Sequence, residues 1–364
     1  AIALELRKLL STEFDASTTP VDTRAYELYL KGRGLVSRRK PADLFKGIEA
    51  LKAALEFEPQ YAAAMATIAK AFVALPWYSS TIPAGDAREQ ARDWANKSLA
   101  IDAQNVEALA VLGIVYNELD INPTGAIEVL ERAVKLNPGS IVANNFLGDV
   151  YFRVGDLDKA LIYESRAAEL DPLGPVQLTD LVGIYLLEEE YDKAISLSRR
   201  ALELDPTFVY AFQYLCYAYY FLGDVQQMTR SFQAFSEIPD VDMGRGREVQ
   251  SALELLRGDR EKAELVFRQR VDLAKSSKMG YGIVVPHAVI MGDLDTAAHF
   301  LQEAYRNGDG RWIIPLLVRL PEQAPESEPW QEFWRQPGVQ SLVELRRENG
   351  LNPHPPKPRS ETSR

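Results

Sequence analysis

Pro138, Pro172 and Pro206 fall 34 residues apart, and the residue types around them recur at the same spacing. Ala133, Ala167 and Ala201 stand five positions before each proline, Leu136, Leu170 and Leu204 two before, and Asn137, Asp171 and Asp205 immediately before. A fixed period of this length means one supersecondary unit copied along the chain, each copy burying its apolar face against its neighbours. Within a unit, Leu147, Gly148 and Tyr151 lie on one face of a first helix, and Gly148 leaves room for a second helix bearing Ala160 and Ala167. Gly155-Asp156, Gly223-Asp224, Gly258-Asp259 and Gly292-Asp293 write the turn between the helices, glycine where one ends and aspartate where the next begins. The Asn-Pro or Asp-Pro pair stops the second helix, because proline pushes the residue before it out of the helical region.

The period and these positions resemble tetratricopeptide repeat proteins. The resemblance implies an all-α fold: a right-handed superhelical solenoid of antiparallel helix pairs with a C-terminal helical cap. Residues 1–21 are expected to be the end of a preceding domain and a linker, with a short amphipathic helix at Ile2 to Leu10. About eight repeats should then follow over 22–310, at 22–60, 61–104, 105–139, 140–174, 175–208, 209–241, 242–275 and 276–310. The second is longer than the period, and its surplus, Leu75 to Pro83, is expected between its two helices. Beyond Asn307 the pattern stops. Trp312, Ile313, Leu316, Trp330, Phe333, Val339 and Leu342 supply apolar residues for a cap over 311–351, and the proline-rich end 352–364 is too polar to order itself.

The net charge of −11 and pI near 5.0 argue against a general nucleic-acid binder, which needs a positive surface. No apolar run is long enough to insert in a membrane. The clusters Arg38-Arg39-Lys40 and Arg199-Arg200 read as solvated faces. One cysteine excludes an internal disulfide but leaves the compartment open, with the cytoplasm favoured over the periplasm.

Little in the sequence points to catalytic or metal chemistry. His287, His299 and His354 lack metal-ligand spacing, so no metal or cofactor is expected. Cys216 occupies the close-contact position of Gly113 and Gly148 and reads as a buried, inert thiol. Gly244-Arg245-Gly246-Arg247 lacks the spacing and lysine of a phosphate loop. Glu188-Glu189-Glu190 replaces a turn glycine and reads as a solvated turn. With no nucleophile, acid–base pair or cofactor loop, an enzyme is not expected.

In tetratricopeptide arrays the first helices line a concave groove, and carrying that rule over names the candidate binding residues. They are Asn117, Asn145, Asp149, Phe152, Arg153, Thr179, Tyr210, Gln213, Tyr217 and Tyr220, within an inner row that also includes Glu107 and Gly183. The expected lining is aromatic and amide-rich with few charges. Where chaperone-tail binders of the family carry a lysine and asparagine clamp, this chain has Asn145 with Asp149, Thr179 with Gly183, and Gln213 with Tyr217. Tyr210, Tyr217 and Tyr220 are expected either to face a protein or peptide segment in the groove, with Asn145 and Gln213 bonding its backbone, or to close the superhelix on itself.

The run from Asp22 to Arg33, then Arg38-Arg39 and the stretch Asp43 to Glu58, also resembles the start of the repeat region in bacterial signalling proteins. In those, a class III adenylate cyclase or winged-helix domain and a TolB-like part come first. That resemblance implies a sensory or regulatory scaffold, and a start at Ala1 without methionine is read as a fragment or a processed product. The alternative is a free-standing exported adaptor or assembly factor at the cell envelope.

Overall fold

The computed structural model describes residues 22–79, 81–238, 243–277, 280–309 and 328–350. The expected helix at Ile2 to Leu10, the linker, the apolar run Trp312 to Leu317 and the terminal tail lie outside them. Every regular element among the described residues is an α-helix.

The helices follow one another in pairs: α1 (Thr23–Ser37) and α2 (Pro41–Phe57), α3 (Ala62–Tyr78) and α4 (Ala84–Ile101), α5 (Val106–Glu118) and α6 (Pro123–Leu136), α7 (Ile141–Val154) and α8 (Leu157–Leu170). They continue as α9 (Pro175–Leu187) and α10 (Tyr191–Leu204), α11 (Val209–Leu222) and α12 (Val225–Ser236), α13 (Met243–Leu256) and α14 (Arg260–Ser277), α15 (Tyr281–Met291) and α16 (Leu294–Arg306). The short α17 (Glu328–Trp334) and α18 (Pro337–Glu348) end the described chain. Two compact units result, residues 1–147 and 148–364, with the boundary inside α7. Inside the first unit, α1, α3 and α5 pack side by side as first helices; inside the second, α9, α11, α13 and α15 do the same.

In four pairs the turn is held by one aspartate acting twice. At Gly155-Asp156, the Asp156 backbone N–H donates to the Tyr151 carbonyl at 3.0 Å and Gly155 N–H to Phe152 at 3.0 Å, closing α7. The Asp156 carboxylate then accepts from Lys159 N–H at 3.2 Å and caps α8. Asp224, Asp259 and Asp293 repeat this arrangement, each receiving the N–H three residues on at 2.9–3.1 Å. The glycine before each must adopt the left-handed region that side chains avoid, at φ of 86°, 72°, 82° and 75°. Where the sequence offers no glycine the same geometry persists under strain, at Arg39, Ile121 and Glu189 with φ of 55°, 49° and 63°.

Small residues set the distance between paired helices. A Cβ added at Gly113 would stand 2.4 Å from Leu130 Cγ, and one at Gly148 would stand 2.7 Å from Glu164 Cγ. Cys216 fills the matching place in α11, with no exposure, and burial pushes its thiol up to about 12. Around it, Leu215, Tyr219, Met228, Val249 and Leu253 form a buried cluster that joins α11, α12 and α13.

The second pair departs from the expected insertion. Helix α3 does not stop at Leu75; it runs through Pro76 and Trp77 to Tyr78, so the connection is shorter and the helix longer than the sequence suggests. Proline there cannot donate to the Phe72 carbonyl. Arg88 of α4 supplies the missing donors, its Nη1 lying 3.3 Å from the Phe72 carbonyl and 2.7 Å from that of Val73. Glu118 of α5 pairs with the same guanidinium, which is 1% exposed.

Three substitutions separate these roles. Glu189→Gly should raise the unfolding free energy by about 1 kcal/mol, because it relieves the left-handed strain. Gly183, whose added Cβ would meet Phe152 only at 3.4 Å, should accept alanine with a gain of up to about 1 kcal/mol, whereas Gly148→Ala should destabilise. Urea titrations of the three variants check both, and equal losses at the two helical glycines would refute the close-contact assignment.

Candidate functional site

Several polar side chains on the first helices bond to a partner on the next repeat. In the first unit, Thr67 of α3 bridges its own helix and the next: its hydroxyl lies 3.0 Å from the Ala63 carbonyl and 2.8 Å from Glu107 Oε2 of α5. Lys70 forms an ion pair with Glu107. Burial alone would raise the Glu107 carboxyl, yet Lys70 and the Thr67 hydroxyl outweigh it and hold the group below its usual range. Beside them the rings of Tyr26, Tyr29 and Tyr61 follow one another at 6.5 and 5.0 Å. Burial pushes the Tyr29 hydroxyl up to about 12.

In the second unit, Arg153 Nε donates to Asp149 Oδ2 at 2.8 Å one turn earlier on α7. The Phe152 ring and the Tyr214 hydroxyl reach Gly183 from α7 and α11. The Tyr214 hydroxyl is raised by burial first and by the charges of Asp180 and Asp149, with Arg153 acting the other way. Further along, Gln213 Nε2 donates to the Tyr217 hydroxyl at 2.9 Å, and that hydroxyl donates in turn to Glu248 of α13. Glu248 is buried, which lifts its carboxyl to about 7 against the pull of Tyr217 and Arg270. His287 of α15 has no exposure; neither ring nitrogen finds a hydrogen-bond partner among the described residues. Its ring packs edge-on against Phe267 at 4.8 Å. Burial, then Arg270 and Arg247, lower it to about 3.

This geometry redistributes the expected lining. Asn117 and Asn145 are 3% and 7% exposed, so neither stands open for a peptide backbone. Thr179 turns its hydroxyl back onto the Pro175 and Val176 carbonyls at 3.1 and 2.9 Å. Phe152 and Arg153 are buried, and Asp149 is engaged by Arg153. Tyr210, Gln213, Tyr217 and Tyr220 stay half-buried on α11, while Leu215, Cys216, Ala218 and Tyr219 take the interior. Besides the expected Glu107, Asp149 and Arg153, the first helices carry the charged residues Lys70, Asp180 and Glu248. Thr67, Lys70 and Glu248 escape a reading of the sequence; each sits on a first helix, but what singles it out is a partner on the neighbouring repeat. Among the described residues no cluster of three or more His, Cys, Asp or Glu is placed to hold a metal ion, and no helix is long and apolar enough to cross a membrane.

A sequence model for the tetratricopeptide repeat matches residues 179–208, which span most of α9 and all of α10. The Cut9–Hcn1 structure of the APC/C hetero-tetramer aligns with 82% of this chain and 52% of that one at a TM-score of 0.53 and 15% identity. The fold is that of a tetratricopeptide-repeat array. Other similar structures are MamA, 29% identical over 42% of this chain and 88% of that one with a TM-score of 0.36, and a thermophilic TPR protein of Thermus thermophilus. The latter is 20% identical over 53% of this chain and 98% of that one, with a TM-score of 0.44. No curated protein matches the chain. A tetratricopeptide array of this kind is consistent with a protein-interaction scaffold.

Glu248 and His287 give the array opposed pH responses. His287 is lowered from 6.5 to about 3, so the unfolded chain binds the extra proton between those values, and its contribution is lost as pH falls below 6.5. Glu248 is raised from 4.5 to about 7, so the folded chain binds the extra proton, and its contribution grows as pH falls from 7 to 4.5. Each effect has a limiting slope of about 1.4 kcal/mol per pH unit. Between pH 7 and 5, His287→Leu should therefore gain stability relative to wild type and Glu248→Gln should lose it. Denaturant unfolding at stepped pH reads both, and parallel profiles for all three chains would refute the assignment.

Proposed function

We propose that the array is a non-catalytic scaffold that binds an extended protein segment along the first helices of its second unit, centred on α11. The observation that carries this reading is the division of labour on α11. Five residues of that helix fill the interior, yet Tyr210, Gln213, Tyr217 and Tyr220 remain half-buried, and Phe221 and Tyr191 stack beside them at 5.8 Å. Partly exposed tyrosines offer large contact area with few rotatable bonds to immobilise, which is the property that makes them binding anchors. Tyr217 is not a free anchor, because removing it would strand the buried Glu248 carboxyl. The discriminating positions are Tyr210 and Tyr220.

We further propose that this scaffold is the sensory or regulatory part of a bacterial signalling protein, supported by the likeness of Asp22 to Arg33 and Asp43 to Glu58 to the start of the repeat region in such proteins. Intact-mass and peptide mapping of the endogenous protein tests the context: a cyclase or winged-helix domain in the same polypeptide supports it, and a mature start at Ala1 favours an envelope adaptor instead.

For the binding reading, peptides selected from a random display library on the wild-type chain should bind the Tyr210→Ala/Tyr220→Ala chain at least about tenfold more weakly. The melting midpoint should move by no more than about 3 °C. Selected peptides that bind both chains equally would refute the site.

A further inference from the structure

Helix α18 makes a contact far back along the chain. Its C-terminal turn reaches back 192 residues in sequence, where Arg346 Nη1 donates to the Val154 carbonyl at the end of α7. Arg346 is 5% exposed, and burial lowers its guanidinium from the ordinary arginine value. At the same edge Lys159 Nζ of α8 lies 3.2 Å from Asn349 Oδ1. The apolar face of α18, Val339, Leu342, Val343 and Leu345, is buried, while Gln340, Glu344 and Arg347 on the opposite face are exposed.

The turn that receives Arg346 has three counterparts of identical build. Gly155, Gly223, Gly258 and Gly292 share the left-handed conformation, yet a Cβ added at Gly223, Gly258 or Gly292 would meet nothing within 4 Å among the described residues. One added at Gly155 would stand 2.2 Å from Arg346 Nη1. The last carbonyls of a helix carry its partial negative charge and lack intrahelical donors, so a cation that donates to them is favoured on both counts. A helix of 12 residues such as α18 is marginal in water by itself and persists only while docked.

We propose that α18 is an intramolecular ligand: the α7–α8 turn is a docking site for an amphipathic helix that presents an arginine at its C-terminal turn, and α18 occupies it in cis. A second helix of that chemistry competes for the same turn, and its binding releases α18 from the array. The site is separate from the tyrosines of α11, and its test uses no ligand of that surface.

Hydrogen exchange on the full chain tests the docking, with Gly155→Ala and Gly223→Ala as a matched pair. Both introduce the same backbone strain, but only the first also displaces Arg346. Amides of residues 337–348 should exchange at least about tenfold faster in Gly155→Ala and Arg346→Met than in wild type, and unchanged in Gly223→Ala. A fluorescent peptide of residues 337–350 should bind the Arg346→Met chain at least about tenfold more tightly than wild type, whose site is filled. The same peptide carrying Arg346→Met should not bind. Equal exchange in the two glycine variants would overturn the proposal. So would faster exchange throughout α9 to α12 in Arg346→Met, which would make Arg346 part of the general core, and so would failure of the peptide to bind the opened chain.

Discussion

In four of the described helix pairs the backbone changes direction once, and an aspartate enforces that change from both sides. At Asp156, Asp224, Asp259 and Asp293 the backbone N–H satisfies a carbonyl at the end of one helix and the side chain satisfies an N–H at the start of the next. The two functions share one Cα, so the end of the first helix and the beginning of the second cannot drift apart. The preceding glycine makes the required conformation inexpensive. Once the direction is set, the alanines and glycines of the facing helices decide how closely they approach, and packing rather than helix propensity supplies the stability.

Repetition does not make the units equivalent. In the second pair the same architecture absorbs a proline inside a helix, because Arg88 brings its guanidinium to the orphaned Phe72 carbonyl and Glu118 balances the buried charge. That repair ties α3, α4 and α5 together through one side chain. Its logic is that of a buried ion pair: small net gain when whole, large loss when one partner is removed. Glu189 and Ile121 show a milder version, in which the turn geometry is imposed on residues that resist it.

The helix pairs are legible in the sequence because their signals are local and redundant: glycine-aspartate turns, Asn-Pro and Asp-Pro stops and small-residue positions each point to the same boundaries. Pro76 misleads for the opposite reason, since the residue that rescues its helix lies 12 positions later and on another element. The candidate site is legible only as a set of helix positions. Sequence places Tyr210, Gln213, Tyr217 and Tyr220 on one side of α11, but it cannot show that Tyr217 is already bonded to Glu248, because that bond spans 31 residues. Thr179 looks like a groove hydroxyl, yet its nearest acceptors are carbonyls of its own helix.

The periodicity that reveals the fold also hides what distinguishes its parts. Four turns share a dipeptide, a glycine conformation and a backbone capping bond, yet Arg346 rests on the turn at Gly155, while no described atom lies within 4 Å of a Cβ built on the other three glycines. Nothing in the spacing of the repeats specifies that choice; it follows from where the chain goes after its last pair. In a repeat protein the residues that carry individuality are therefore those whose partners lie outside the period: Arg88 on an irregular helix, Glu248 beneath a tyrosine of the neighbouring repeat, Arg346 on a turn 192 residues away. Binding specificity is a property of such contacts, since the shared framework presents the same backbone to any partner.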